Sequence, residues 1–158
     1  MNKYKLGKRS LGNIETCHKD LQLIAHESIK VTQVDFTVIE GARTEDRQQD
    51  LFNKGKSKVN PLKYTPEVLV TKGMHIVNEY RKLSDAFDFI AYVPNKPKLA
   101  FDVVHLLYLI GVFTSVAERL HQEGRISHHL RSGANWDMDG ELKYDQTFFD
   151  APHVELRK

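Results

Sequence analysis

The sequence contains very little cysteine, since Cys17 is the single one among 158 residues. A single thiol excludes an internal disulfide framework and a cysteine-rich metal site. We interpret Cys17 as a small, partly buried helix residue of a protein kept in a reducing compartment. The sequence also lacks a cluster of lysine and arginine, and its net charge is only +2. Nucleic acid is therefore not an expected partner.

A long hydrophobic run is also missing. Residues 1–13 are polar and basic and lack the apolar stretch of a secretory signal peptide. The most apolar segment, residues 103–117, is shorter than the roughly twenty residues that a membrane-spanning helix needs. We therefore expect a buried helix here and no membrane span.

What the chain does contain is the composition of an ordinary globular domain. Hydrophobic residues make up 41% of the chain and charged residues 28%, which leaves enough apolar material for a substantial core. The length is that of one domain, and we expect this domain to span residues 1–158.

The spacing of apolar residues predicts a mixture of helices and strands. Residues 34–40 alternate and are rich in β-branched side chains, as is typical of a strand. Residues 56–71 are polar, contain prolines and show no period, which indicates an exposed loop. By the same criteria we predict helices over residues 14–29, 45–55 and 101–122 and further strands over residues 89–93 and 126–130.

Two segments carry most of the chemistry. Near the C-terminus, Asp150 precedes His153 by three residues, just ahead of a strand-like stretch. This spacing can aim a carboxylate base and an imidazole metal ligand at one point. Arg43 lies at the turn between a predicted strand and a predicted helix, where its guanidinium is suited to bind a carboxylate. Alternatively, Arg43 ties the turn to a neighbouring acid.

These segments resemble the zinc peptidases that cut bacterial cell-wall peptides, namely the VanY-type D-alanyl-D-alanine carboxypeptidases and the phage L-alanyl-D-glutamate endolysins. The resemblance covers residues 10–157. Its four blocks are Gly41-x-Arg43-Thr44, Ala86-x-Asp88, the segment 131–140 with Trp136, and Asp150-x-Pro152-His153-x-Glu155. It implies an α+β fold, with a small, mostly antiparallel sheet and helices packed on one side, as in the DD-peptidases and the hedgehog signalling domain.

The resemblance also implies roles for individual residues. Asp88 and His153 would bind zinc, and Asp150 would be the general base. Arg43 and Trp136 would line the substrate cleft.

One expected zinc ligand is missing from the pattern. The family motif Ser-x-His-x-x-Gly-x-Ala-x-Asp, placed on Ala86 and Asp88, puts Arg81 where the ligand histidine belongs. Arginine has no lone pair to offer and keeps its charge, so it cannot ligate a metal. We expect Arg81 to form an ion pair with Asp88 instead. The alternative third ligand is His75, six residues earlier.

Two hypotheses follow. In the first, the chain is a phage or prophage endolysin-like protein that has lost catalysis, binds no zinc, and recognises a cell-wall peptide or a host protein. In the second, it is an active zinc peptidase of cell-wall stem peptides with His75 in the ligand set. It would then be either an L-alanyl-D-glutamate endopeptidase or a D-alanyl-D-alanine carboxypeptidase. In both cases we expect the protein in the host cytoplasm, with access to the cell wall only after release.

Overall fold

The structure, a computed structural model, describes residues 3–142 and 148–158. Over these ranges the chain forms five α-helices and four β-strands, with two short 3-10 turns at Pro61–Lys63 and Pro97–Leu99. The elements in chain order are α1 (Lys8–Ile14), α2 (Lys19–Val31), β1 (Asp35–Glu40), α3 (Glu45–Asn53), α4 (Pro66–Lys72), β2 (Ala86–Tyr92), α5 (Val103–Gln122), β3 (His129–Gly133) and β4 (Asp150–Arg157).

The four strands form one sheet in the order β1-β2-β4-β3, and every neighbouring pair is antiparallel. This order places β2 and β4 in the centre of the sheet. The predicted α+β class, with a small antiparallel sheet and packed helices, is confirmed.

An aromatic cluster joins α5 to one face of the sheet. Phe113 of α5 packs edge-to-face against Phe36, Phe87 and Phe89, with ring centroids 4.8 to 5.5 Å apart. All four side chains are at most 2% exposed. Because side chains alternate along a strand, Asp88 lies on the opposite face of β2.

α5 begins two residues later than the predicted helix 101–122 and ends where that helix was predicted to end. At 20 residues it is long and apolar enough, by length and composition only, to cross a membrane. Leu109, Phe113 and Leu120 are nevertheless fully buried against the rest of the domain. A core helix passes the same length test, and burial of this kind is what we expected of the segment.

Several boundaries differ from the predictions, and the strand predicted over 89–93 already begins at Ala86. The helix predicted over 14–29 begins only at Lys19, where His18 caps α2 by accepting a hydrogen bond from Asp20 N–H, and Ile14 instead ends α1. Cys17 is therefore fully buried between α1 and α2 rather than within a helix. The predicted loop 56–71 contains most of α4, with Pro66 in its first turn, where proline is tolerated.

The strand predicted over 126–130 begins only at His129. The reason is a contact from α2, because the Asp20 carboxylate accepts hydrogen bonds from the backbone N–H groups of Ser127 and His128. These bonds hold the two residues in a turn outside the sheet.

Candidate metal centre

Two central strands bring an aspartate and a histidine together. Asp88 lies on the face of β2 opposite the buried Phe87 and Phe89. In the antiparallel register Asp88 pairs with His153 of β4. Asp88 Oδ1 lies 3.0 Å from His153 Nδ1.

A third side chain reaches the same point from the segment between α4 and β2. His75 is 4% exposed, and its Nε2 lies 3.1 Å from both Asp88 Oδ1 and His153 Nδ1. The His75 carbonyl accepts a hydrogen bond of 2.8 Å from Arg43 N–H, which holds the segment beside the end of β1. One potential ligand atom from each of the three residues lies within 4.8 Å of the others.

Hydrogen bonds on the outer side of each ring decide where the ring hydrogens lie. The Gly41 carbonyl, 2.8 Å from His75 Nδ1, can only accept, so Nδ1 carries the hydrogen and Nε2 keeps a lone pair. The Glu155 carboxylate, 2.9 Å from His153 Nε2, likewise accepts a hydrogen bond, so Nε2 carries the hydrogen. With both rings neutral, the inward nitrogens and the Asp88 carboxylate direct lone pairs at one point, where either a proton or a metal ion can be held.

The site attracts positive charge. Burial raises the pKa of the Asp88 carboxyl, but His75 and His153 outweigh burial and hold that pKa well below its usual range. Burial lowers the pKa of His153, yet its hydrogen bonds to Asp88 and Glu155 raise this pKa to about 9. A proton and a metal ion would compete for the same lone pairs.

These residues fit zinc. Two imidazole nitrogens and one carboxylate oxygen form a catalytic type of ligand set, which leaves a fourth position for water or substrate. Each histidine also donates its second N–H to an acceptor, as zinc-bound histidines almost always do.

Asp150 begins β4 and lies beside this group. Burial is the main cause that raises its pKa, the negative charge of Asp88 adds to the rise, and His153 opposes it. Gly133 of β3 packs directly on Asp150, since a Cβ at Gly133 would lie 2.1 Å from the Asp150 carbonyl oxygen. The close contact, and with it the position of the Asp150 carboxylate, therefore requires glycine at position 133.

Arg43 and Trp136 flank the centre. Arg43 Nη2 lies 2.5 Å from Glu40 Oε2 and 3.7 Å from Asp88 Oδ2, so it ties the turn to an acid and also faces the centre. The Trp136 ring lies 5.3 Å from the His153 ring and stacks on Phe148 at 6.2 Å.

All these groups open into one cleft of about 600 Å³. The predicted site residues that line it are Arg43, His75, Asp88, Trp136, Asp150 and His153. Lysines that the sequence analysis did not single out, Lys56, Lys58 and Lys72, also line the cleft. They make its rim cationic.

Arg81 does not occupy the place that motif spacing predicted. Its guanidinium bonds to Asp85, at 3.4 Å, and to the carbonyls of Gly73 and Ile76, so the predicted ion pair with Asp88 is wrong. The reason is a loop over residues 77–83. A backbone bridge between Arg43 and Ile76 holds the start of this loop. His75, rather than Arg81, is thereby placed beside Asp88.

Sequence reasoning also missed the residues that orient His153. Arg131 Nε donates to Glu155 Oε1 over 3.0 Å, and Glu155 in turn binds His153. Alternation along β4 was the available signal, because it places residues 153 and 155 on the same face.

A second group of similar composition lies elsewhere. His18, Asp20 and His128 also bring potential ligand atoms within 4.8 Å of one another. Here, however, His18 Nδ1 accepts from Asp20 N–H over 3.1 Å, so its lone pair is already used. Asp20 Oδ2 accepts from the N–H groups of Ser127 and His128, at 3.0 and 3.2 Å, and lies 2.8 Å from His128 Nδ1. We call this group the α2–β3 clasp.

Comparison with known proteins agrees with the geometry of the cleft. The chain is 27% identical over 156 residues to the L-alanyl-D-glutamate peptidase of Escherichia phage T5, a match that covers 97% of this chain and 98% of that protein. Its fold is similar to that of the L-Ala D-Glu endopeptidase ChiX of Serratia marcescens, with a TM-score of 0.65 at 18% identity, over 98% of this chain and 91% of that one.

The family assignment rests on a match along almost the whole chain. The profile of the phage L-alanyl-D-glutamate peptidase family matches residues 2–157. The predicted resemblance to the endolysin peptidases is thereby confirmed, and the chain belongs to the phage L-alanyl-D-glutamate peptidase family.

Proposed function

We propose that the chain is an active, zinc-dependent peptidase that hydrolyses the bond between L-alanine and D-glutamate in cell-wall stem peptides. One peptidase domain over residues 1–158 would carry this activity. The observation that supports it is the convergence of three potential ligand atoms, from His75, Asp88 and His153. The outer N–H groups of the two histidine rings donate to Gly41 and Glu155, which leaves the inner nitrogens for a metal. These three residues would hold the metal.

A zinc ion held there would polarise the scissile carbonyl and make a water more acidic. Asp150 would take the proton from the attacking water and pass it to the leaving amine. Its raised pKa suits this task, because a base works best when its pKa lies nearer the working pH.

The rest of the cleft is suited to an acidic peptide. Arg43 would bind a substrate carboxylate, and Trp136 would cover the peptide from the other side. The lysines at the rim, Lys56, Lys58 and Lys72, add positive charge, which attracts an acidic substrate. A stem peptide that contains D-glutamate carries such carboxylates.

The hypothesis of a non-catalytic binding module loses its motivation. It depended on Arg81 standing among the ligands, and the Arg81 guanidinium instead pairs with Asp85. We therefore favour the peptidase, with peptidoglycan as the partner rather than a host protein. The protein would be made in the host cytoplasm and reach the wall after release.

The test is a zinc measurement joined to an activity assay. The purified protein, dialysed and then loaded with zinc, should hold one equivalent and release L-alanine-terminated fragments from purified peptidoglycan. Arg81→His should not increase either quantity. Absence of bound zinc and of cleavage in the unmodified protein, with both gained by Arg81→His, would restore the non-catalytic hypothesis.

A further inference from the structure

Arg81 sits at an unusual place for a charged side chain. It lies in the loop 77–83 between the proposed ligands His75 and Asp88, and its side chain is only 15% exposed. Three of its nitrogens have partners within the protein. Nε donates to the Ile76 carbonyl over 2.9 Å, Nη2 donates to the Gly73 carbonyl, and Nη1 lies 3.4 Å from Asp85 Oδ2.

The two carbonyls that Arg81 binds lie on either side of His75. Gly73 and Ile76 therefore accept hydrogen bonds from one rigid, planar group, which fixes the distance between them. Lysine would replace this contact only in part, because an ammonium group lacks the planar fork that reaches separate acceptors at set angles.

The opposite side of the same segment is held by backbone contacts. The His75 carbonyl accepts from Arg43 N–H over 2.8 Å, and Val77 N–H donates to the Arg43 carbonyl over 3.0 Å. Asp85 N–H donates to the Met74 carbonyl over 2.9 Å. Residues 73–77, which we call the His75 segment, belong to no helix or strand and are thus held between the end of β1 and the Arg81 guanidinium.

We propose that Arg81 is a positioning residue that holds the His75 segment in the conformation needed for metal binding. This inference rests on the proposed function, because it takes His75 to be a ligand. Without the guanidinium, the segment would have to be ordered when the metal binds, and that ordering costs affinity. Loss of a hydrogen-bond partner of a ligand typically weakens metal binding by about 10- to 100-fold, and we expect an effect of this size from loss of the Arg81 contacts that hold the backbone on both sides of His75.

The experiment compares Arg81→Met and Arg81→Lys with Lys82→Met, which removes one positive charge from the exposed neighbour in the same loop. His75→Ala serves as the reference for loss of a ligand. Zinc affinity is measured by competition with a chromogenic chelator. Amide hydrogen exchange is measured separately on the metal-free proteins at Ile76, Val77 and Asp85.

We expect Arg81→Met to bind zinc about 10- to 100-fold more weakly than the unmodified protein, and Lys82→Met to bind it equally well. Arg81→Lys should fall between them. In metal-free Arg81→Met, exchange should accelerate at Ile76, Val77 and Asp85 and not in the core strands β1 and β2. Zinc in excess should restore activity to Arg81→Met but not to His75→Ala.

Unchanged exchange at these amides in both Arg81 variants would overturn the positioning role. The role would also be overturned if Arg81→Met bound zinc with an affinity within twofold of that of the unmodified protein while His75→Ala lost zinc binding. If the unmodified protein binds no zinc, the proposed function fails, yet the exchange measurement still decides whether Arg81 holds the segment. Should Arg81→Met fail to fold, Arg81→Lys supplies both readouts.

Discussion

Two groups in this molecule have the same composition, one aspartate and two histidines, and differ in where their hydrogens lie. In the cleft, the outer nitrogens of His75 and His153 face acceptors, so the inner nitrogens direct lone pairs towards Asp88. In the α2–β3 clasp, the lone pair of His18 Nδ1 and the Asp20 carboxylate are used by backbone N–H groups. The first arrangement calls for a cation, and the second is already satisfied.

The comparison shows that proximity of ligand-type residues is a weak criterion for a metal site. Both groups meet the same distance limit of 4.8 Å. What separates them is the hydrogen-bond partner of the second ring nitrogen, which in the cleft is a carbonyl or a carboxylate oxygen. A histidine whose far nitrogen donates to a carbonyl or carboxylate has its near nitrogen free to ligate.

The largest difference between the two groups should appear on removal of one histidine from each. His75→Ala should lose bound zinc and peptidase activity, because it removes a ligand. His18→Ala should keep both and lose about 1 kcal/mol of folding stability, because it removes the cap of α2. Zinc content, peptidoglycan cleavage and urea unfolding of the two variants check this. Loss of bound zinc in His18→Ala would contradict the proposed difference between the cleft group and the α2–β3 clasp.

The cleft has a further carboxylate that the clasp lacks, and Asp150→Asn tests it. We expect kcat to fall by about 10²- to 10⁴-fold while zinc stays bound, because the substitution removes the proposed general base and none of the proposed ligands. In the unmodified enzyme, activity should fall on acidification at a pH above 3.8, the ordinary value for aspartate, because the pKa of Asp150 is raised. A kcat–pH profile of both proteins provides the measurement. Full activity in Asp150→Asn would assign the base elsewhere.

A smaller effect is expected from Gly133→Ala, which disturbs Asp150 indirectly. The new Cβ would overlap the Asp150 carbonyl oxygen, so the strand must shift, at a cost of about 1 to 3 kcal/mol. Activity should fall with the displaced carboxylate. Gly111→Ala is the matched control, because open space surrounds this position within α5 and alanine favours a helix. Equal melting temperatures for the two variants would argue against the close contact.

The smallest effect should come from the clasp itself. Burial raises the pKa of Asp20, but hydrogen bonds from His128 and Ser127 outweigh it and lower this pKa. Because the folded-state pKa is depressed, the Asp20 contribution is present above the ordinary value of 3.8 and is lost as pH falls through the folded-state value. Asp20→Asn should therefore cost about 1 kcal/mol at neutral pH and less in acid. Unfolding at pH 7 and pH 3 checks this, and a cost that grows in acid would contradict it.

Much of the fold follows from local pattern. The alternation around Phe36 and the long apolar periodicity around Phe113 predict β1 and α5 close to their observed bounds. Asp88, Asp150 and His153 could be picked out because each lies in a segment that resembles the family. The break between α1 and α2 could not be predicted from local pattern, because it depends on the His18 side chain, which caps α2.

His75 shows where sequence reasoning stops. Counting back a fixed number of residues from Asp88 reaches Arg81, and only the loop 77–83 brings His75 to the site instead. The length of a loop does not reveal which residue its ends place in contact. The role of Arg81 was hidden for the same reason, because its partners are backbone carbonyls with no signature in the sequence.

The most direct test of the central claim is a nitrogen-resolved NMR spectrum of the histidine rings during zinc titration. We predict that the signals of His75 Nε2 and His153 Nδ1 shift on addition of one equivalent of zinc. The hydrogens on His75 Nδ1 and His153 Nε2 should stay in place, and the rings of His18 and His128 should not respond. A response confined to the clasp, or none from the cleft histidines, would contradict the account.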